Sequence, residues 1–113
     1  MSLLNNHIIF EDEPVKSALT KLDKLASDAI LFVVSKEMKL IGSLTDGDLR
    51  RGFINNLDFN DSILKFIQKN PVSITSSNYT LSQLEGYKKR HFKIIPILDE
   101  AIPEITIIIL SRA

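Results

Sequence analysis

The feature that most restricts this chain is a pattern that runs through it twice, a helix followed by two apolar strands. After Pro14, the residues Val15, Ala18, Leu19, Leu22 and Leu25 fall at helical spacing, and Glu11-Asp12-Glu13 ahead of them suit the positive end of a helix. The runs from Ile30 to Val34 and from Leu40 to Leu44 are apolar, joined by the polar Ser35 to Lys39, and predict two buried strands with a turn between them. A second helix is predicted from Asp46. The order then returns. Pro71 to Thr75 reads as a short strand, and Thr80-Leu81-Ser82-Gln83 has the spacing of a helix start for Leu81, Leu84 and Tyr87. Lys93 to Leu98 and Ile105 to Leu110 read as strands. Ile97-Leu98-Asp99 follows Val33-Val34-Ser35 by 64 residues, and Ser111 follows Thr45 by 66, the longer second turn taking up the difference.

A repeat of this kind implies that each half buries its apolar face against the other, so neither half is expected to be stable alone. The expected architecture is α/β (α+β), two pseudo-symmetric β-α-β-β-α units with small mixed sheets of three strands each. Residues 1–58 form the first unit, 59–70 a connecting helix built on Ile63, Leu64, Phe66 and Ile67, and 71–113 a second unit cut short at its C-terminus. The abrupt end after an apolar run suggests a piece of a longer protein.

Composition removes several functions. Fourteen basic side chains balance fourteen acidic ones, so no net field draws the chain to nucleic acid or to an anionic membrane. Cysteine is absent, which excludes disulfides, thiol nucleophiles and sulfur-ligated metals and fits a cytoplasmic setting. No apolar run is long enough to span a bilayer. Asp46-Gly47-Asp48 lacks the later acidic ligands of a calcium loop, so no metal is expected. No phosphate loop and no catalytic triad spacing occurs, so no catalytic residue is assigned and the chain reads as non-enzymatic. His7, in the leader, and His91, beside Lys88-Lys89-Arg90, read as surface residues.

One turn stands out chemically. A strand passing through Thr45 into a helix at Asp46 brings free backbone N–H groups and the positive helix end together, which suits a phosphate. Asp48 offers two acceptor oxygens that could take hydrogen bonds from a ribose diol, and Gly42 permits close backbone approach. The same Thr45-x-x-Asp48 spacing is also that of a helix cap, which stabilises by about 0.5–2 kcal/mol with no ligand. Spacing alone does not choose between them.

The run Leu40-Ile41-Gly42-Ser43-Leu44-Thr45-Asp46-Gly47-Asp48-Leu49-Arg50-Arg51 resembles the closing signature of a cystathionine-beta-synthase-type (CBS) domain. Ile95-Pro96-Ile97-Leu98-Asp99 is similar to that family's proline-containing strand and acidic turn, and the resemblance covers roughly Ile8 to Ala113. It implies a tandem pair that binds an adenine nucleotide (AMP, ADP or ATP) or S-adenosylmethionine as a regulatory ligand between its units, with no resident cofactor. The implied ligand residues are Gly42, Thr45, Asp46 and Asp48, with Ser111 as the second half's counterpart of Thr45. The counterpart of Gly42 would be Ile108, and that of Asp48 would fall beyond the end, so the two halves are expected to be unequal. The first unit's wording is similar to CBS pairs that precede sugar-phosphate nucleotidyltransferases, which implies a covalently attached catalytic domain. The alternative is a structural homodimerisation module without a ligand, its apolar face formed by Leu57, Phe59, Ile63, Phe66 and Ile67.

Overall fold

The computed structural model describes residues 6–25, 29–71, 73–75, 82, 85, 86, 94–98 and 105–109. The chain divides into two compact units, Met1–Pro71 and Val72–Ala113. In the first, the elements run β1 (Ile8–Phe10), α1 (Val15–Leu25), β2 (Leu31–Val34), β3 (Leu40–Leu44), α2 (Asp46–Ile54), a single 3-10 turn (Ile63–Lys65) and β4 (Gln68–Lys69). The second contributes β5 (Ile74–Thr75), β6 (Ile94–Leu98) and β7 (Ile105–Ile109). The architecture is α+β, as the alternation of helical and strand periodicities requires.

Helix α1 buries Val15, Ala18 and Leu22, the face its spacing predicts, while Leu19 remains partly exposed. Its approach is fixed by Glu13, whose carboxylate accepts the Phe10 N–H at 2.8 Å. The first sheet has the order β1-β2-β3-β4. Strand β1 runs parallel to β2, with Ile8 opposite Phe32 and Phe10 opposite Val34. Strands β2 and β3 form the antiparallel hairpin, turning through Met38 at φ 65°. All four residues of β2 are buried, which explains why Leu31-Phe32-Val33-Val34 is continuously apolar instead of alternating. Ile9, Val33, Leu44, Leu49, Ile63 and Phe66 belong to the buried core with the α1 face.

Three expectations need correction. The first sheet has four strands, not three, because Gln68–Lys69 pairs antiparallel with β3, Ser43 opposite Gln68 and Gly42 opposite Lys69. The segment expected as a connecting helix makes only one 3-10 turn. It ends there because Ile63 and Phe66 are pulled into the core of the first unit, and the chain must extend to reach the β3 edge. A tight turn precedes it. The Asp61 carboxylate accepts the Asp58 N–H at 2.7 Å and pairs with Lys65 at 3.2 Å. The Asp58 N–H, and after it Lys65, hold the Asp61 carboxyl below its ordinary value. Third, His7 is buried at 4% exposure, its Nδ1 2.8 Å from the Ile30 carbonyl oxygen. Its own carbonyl accepts the Phe32 N–H, so the supposed leader is tied to the sheet directly before β1.

In the second unit β5 runs parallel to β6 and β6 antiparallel to β7, the same three-strand arrangement as β1, β2 and β3. The repeat therefore holds at the level of topology. Its register is more uniform than the sequence suggests. Val33 lies opposite Gly42, and Ile97, 64 residues on, lies opposite Thr106. This makes Thr106 the counterpart of Gly42, where counting along the chain gives Ile108. The second turn is longer by one residue, not two, and the one-residue irregularity in pairing at Val33/Val34 takes that up. Ser111, His91 and most of the predicted helix with Leu81, Leu84 and Tyr87 lie outside the described residues. Among the described residues, no helix is long and apolar enough to cross a membrane.

Candidate functional site

Strand β3 delivers the chain to the N-terminus of α2, and Thr45 there is extended at φ −127°, ψ 170°. The helix begins because Thr45 and Asp48 cap it reciprocally. The Thr45 hydroxyl oxygen accepts the Asp48 N–H at 3.2 Å, and the Asp48 carboxylate accepts the Thr45 N–H at 2.9 Å. The capping reading of the spacing is thus realised in full. The amides of Asp46 and Gly47, in the same first turn, have no intrahelical acceptor.

The Asp48 side chain is only 2% exposed, yet two solvent-facing donors reach it. Its Oδ2 takes both donors of Thr45, the N–H and the hydroxyl at 3.0 Å. Its Oδ1 takes Arg51 Nη2 at 2.7 Å and Gln68 Nε2 at 3.1 Å. A carboxylate has about four lone-pair sites, so all of them are engaged. Gly47 makes room for this arrangement, since a Cβ there would lie 3.1 Å from Arg51 Nη1.

Of the residues singled out from the sequence, Thr45 and Asp48 come together directly, and Asp46 is exposed on the first turn of the same helix. Gly42 is buried next to them along β3, but the close approach it allows is that of its own chain. A Cβ on Gly42 would sit 2.6 Å from the Gln68 carbonyl oxygen and 2.8 Å from Ile67 Cδ1. Glycine there is what lets β4 pair with β3.

Arg51 and Gln68 are the two contributors that sequence reasoning passed over. Arg51 stands three residues after Asp48, a spacing that places them on one helix face and could have been read. Gln68 gives no such signal, because it arrives from a two-residue strand twenty positions away. Among the described residues, no group of three or more His, Cys, Asp or Glu could hold a metal ion.

The apolar patch foreseen at 57–67 is largely consumed internally. Ile63 and Phe66 are core residues, Leu57 and Ile67 pack against them, and Phe59 alone of the five is exposed. A different face carries unburied apolar surface. Leu19 of α1 and Phe53 and Ile54 of α2 line a shallow depression with Leu49, flanked by Asp46 and Arg50.

No protein-family model matches the chain. It is 30% identical to an uncharacterised protein of Rickettsia prowazekii over 95 residues, 84% of this chain and 29% of that protein. It is 31% identical to inosine-5'-monophosphate dehydrogenase of Aquifex aeolicus over 99 residues, 87% of this chain and 20% of that protein. The chain thus spans under a third of the length of these curated relatives. Among solved structures, CBSX2 in complex with AMP matches with a TM-score of 0.71 at 19% identity, covering 96% of this chain and 85% of that one. CbpB in complex with c-di-AMP matches with a TM-score of 0.72 at 16% identity, covering 90% and 69%. These likenesses show the fold, which is that of CBS-domain proteins.

Proposed function

We propose that this chain, with its CBS-domain fold, is a regulatory module that binds an adenine nucleotide at the β3–α2 turn of its first unit. The carrying observation is the Asp48 carboxylate, buried at the start of a helix and yet reached by two solvent-facing donors, Arg51 and Gln68. A ribose diol presents two hydroxyl donors that could replace the two N–H donors Oδ1 now accepts, and the Asp46 and Gly47 amides with the positive helix end suit the phosphate. Thr45 contributes by holding Asp48 in place, its hydroxyl donating to Oδ2 and accepting the Asp48 N–H, and Gly42 contributes indirectly by seating β4. On the register of the second hairpin the counterpart of Thr45 is Ile109, two residues before Ser111, so no contact is assigned to Ser111 or to the second unit. That AMP and c-di-AMP occupy proteins of the same fold supports an adenosine ligand. ADP, ATP and S-adenosylmethionine share the adenosyl part. The role is regulatory, the ligand biasing an attached domain through unequal affinity for two conformations, and it implies a cytoplasmic setting where nucleotides are present. The wording Thr45-Asp46-Gly47-Asp48-Leu49-Arg50-Arg51 is the reason to name a sugar-phosphate nucleotidyltransferase as the class of that attached domain.

Thermal unfolding tests the reading. A nucleotide present at 100 times its dissociation constant should add about 2.7 kcal/mol of stability. AMP, ADP, ATP, c-di-AMP and S-adenosylmethionine are to be titrated in turn, and at least one is expected to raise the midpoint in the unchanged chain but not in Asp48→Ala. No shift with any of the five removes the proposal.

A second reading, homodimerisation, is favoured by the α1–α2 face with Leu19, Phe53 and Ile54, the last 70% exposed. Asp46 and Arg50 at its edge are one helical turn apart and of opposite charge, so a two-fold copy could pair each with the other. Sedimentation should show a dimer for the unchanged chain and a monomer for Ile54→Asp. Equal masses for the two would reject this face.

A further inference from the structure

The geometry at Asp48 points to a site that covers itself. We propose that Gln68 is a built-in competitor for the nucleotide, holding Oδ1 of Asp48 in the free chain and giving it up when the ribose diol arrives. The inference rests on the nucleotide reading above and adds how that site is regulated.

It starts from acceptor capacity. Oδ2 is committed to the Thr45 N–H and hydroxyl, at 2.9 and 3.0 Å, and these contacts hold the start of α2. Displacing them would uncap the helix. Oδ1 is committed to Arg51 Nη2 and Gln68 Nε2, at 2.7 and 3.1 Å. Both of those residues are exposed, the Arg51 side chain at 59%, so both can turn to water on leaving Oδ1. A ribose has two adjacent hydroxyls, so diol binding at Oδ1 exchanges two donors for two. The carboxylate has no spare lone pair for addition, so binding has to proceed by replacement.

The two outgoing donors differ in consequence. Arg51 stays on α2 beside the helix start, where its charge can turn to a phosphate. Gln68 belongs to β4, the last strand before the unit boundary at Pro71. Among the described residues, its bond to Asp48 is the one side-chain hydrogen bond between α2 and β4. β4 is otherwise held by a two-residue pairing with β3 at Gly42 and Ser43. Releasing Gln68 therefore loosens the segment that leads out of the first unit, which converts occupancy at Asp48 into a change in the connecting chain.

Gln68→Met tests this cleanly, because it keeps the length of the side chain and removes the donor without altering charge; an Arg51 substitution would also remove a cation from the phosphate side. Calorimetric titration with AMP and with ATP is expected to show about three- to tenfold tighter binding for Gln68→Met than for the unchanged chain, the range a single exposed hydrogen bond to a carboxylate supports. Equal or weaker binding by Gln68→Met, with binding still lost in Asp48→Ala, overturns the competitor role and leaves the nucleotide reading standing. Binding that is undiminished in Asp48→Ala, or absent from the unchanged chain, overturns both. A second readout needs no variant to fold: the side-chain amide protons of Gln68 in the unchanged chain should shift in the NMR spectrum when AMP is added at saturation. Saturation with those protons unmoved overturns the proposal.

Discussion

Replacing Phe66 by alanine is expected to destabilise the first unit by about 3–5 kcal/mol, the largest effect of any single truncation proposed for this chain. The ring is 5% exposed and belongs to the core with Ile63 and Leu49. It lies directly on Gly52 of α2, where any Cβ would collide with its Cδ2, and it meets Phe53 edge-on at a centroid distance of 5.2 Å and 64°. The residue directly beneath the ring, Gly52, has no side chain to move into the space. Alanine would thus leave a cavity as well as lose the transfer energy of the ring. Against a total stability of about 5–15 kcal/mol for a domain, the loss is severe. Urea titration should show a large fall in midpoint for Phe66→Ala and almost none, within about 0.5 kcal/mol, for Ile54→Ala on the exposed face. If Phe66 belonged to a dimer face, as its sequence context suggests, the variant would instead keep its monomer stability and lose association. The two outcomes separate a core residue from an interface residue.

Phe66 also marks where the sequence stops being informative. Its neighbours Ile63 and Ile67 have spacing that fits one face of a helix, and periodicity cannot say whether such a face is covered by a partner or by the same unit. Here the chain spends one 3-10 turn placing Ile63 and Phe66 inward and then extends, a tertiary demand that overrides local pattern. Strand β4 was illegible for a related reason: Gln68-Lys69 is polar, two residues long and exposed, and exists only because β3 offers an edge with a glycine opposite. Strand β1 is three residues, and its pairing with β2 spans some two dozen residues that no local signal records. His7 just before it is polar and buried because the Ile30 carbonyl receives it. By contrast α1, β2, β3, α2 and the paired strands β6 and β7 follow from hydrophobic periodicity and turn residues close in sequence. The site divides the same way. Thr45 and Asp48 are legible because a cap is a three-residue relation, and Gln68 is not because its relation to them is made by the sheet.

Asp48→Ala carries the second large expectation, a loss of about 1–3 kcal/mol in the absence of any ligand. The direction follows from what each partner can do once the carboxylate is gone. Arg51 and Gln68 are exposed and exchange Oδ1 for water, so their bonds contribute little, and the ion pair at 59% exposure of the arginine is worth well under the cap. The Thr45 N–H, partly buried at the end of β3, has no such exchange, and leaving it without an acceptor exacts most of the penalty. Arg51→Ala should accordingly cost less than about 1 kcal/mol and lose even that in high salt, while the loss in Asp48→Ala should persist. Asp48→Asn should fall between them, since its carbonyl can still accept from Thr45 while its amide faces the donors Arg51 and Gln68. Chemical denaturation of these three variants at low and high salt measures the cap by itself. A loss of under about 0.5 kcal/mol in Asp48→Ala would mean that the reciprocal cap contributes little. The residue's burial would then be explained by recognition alone, and any nucleotide effect on Asp48→Ala could be read without correction for helix stability.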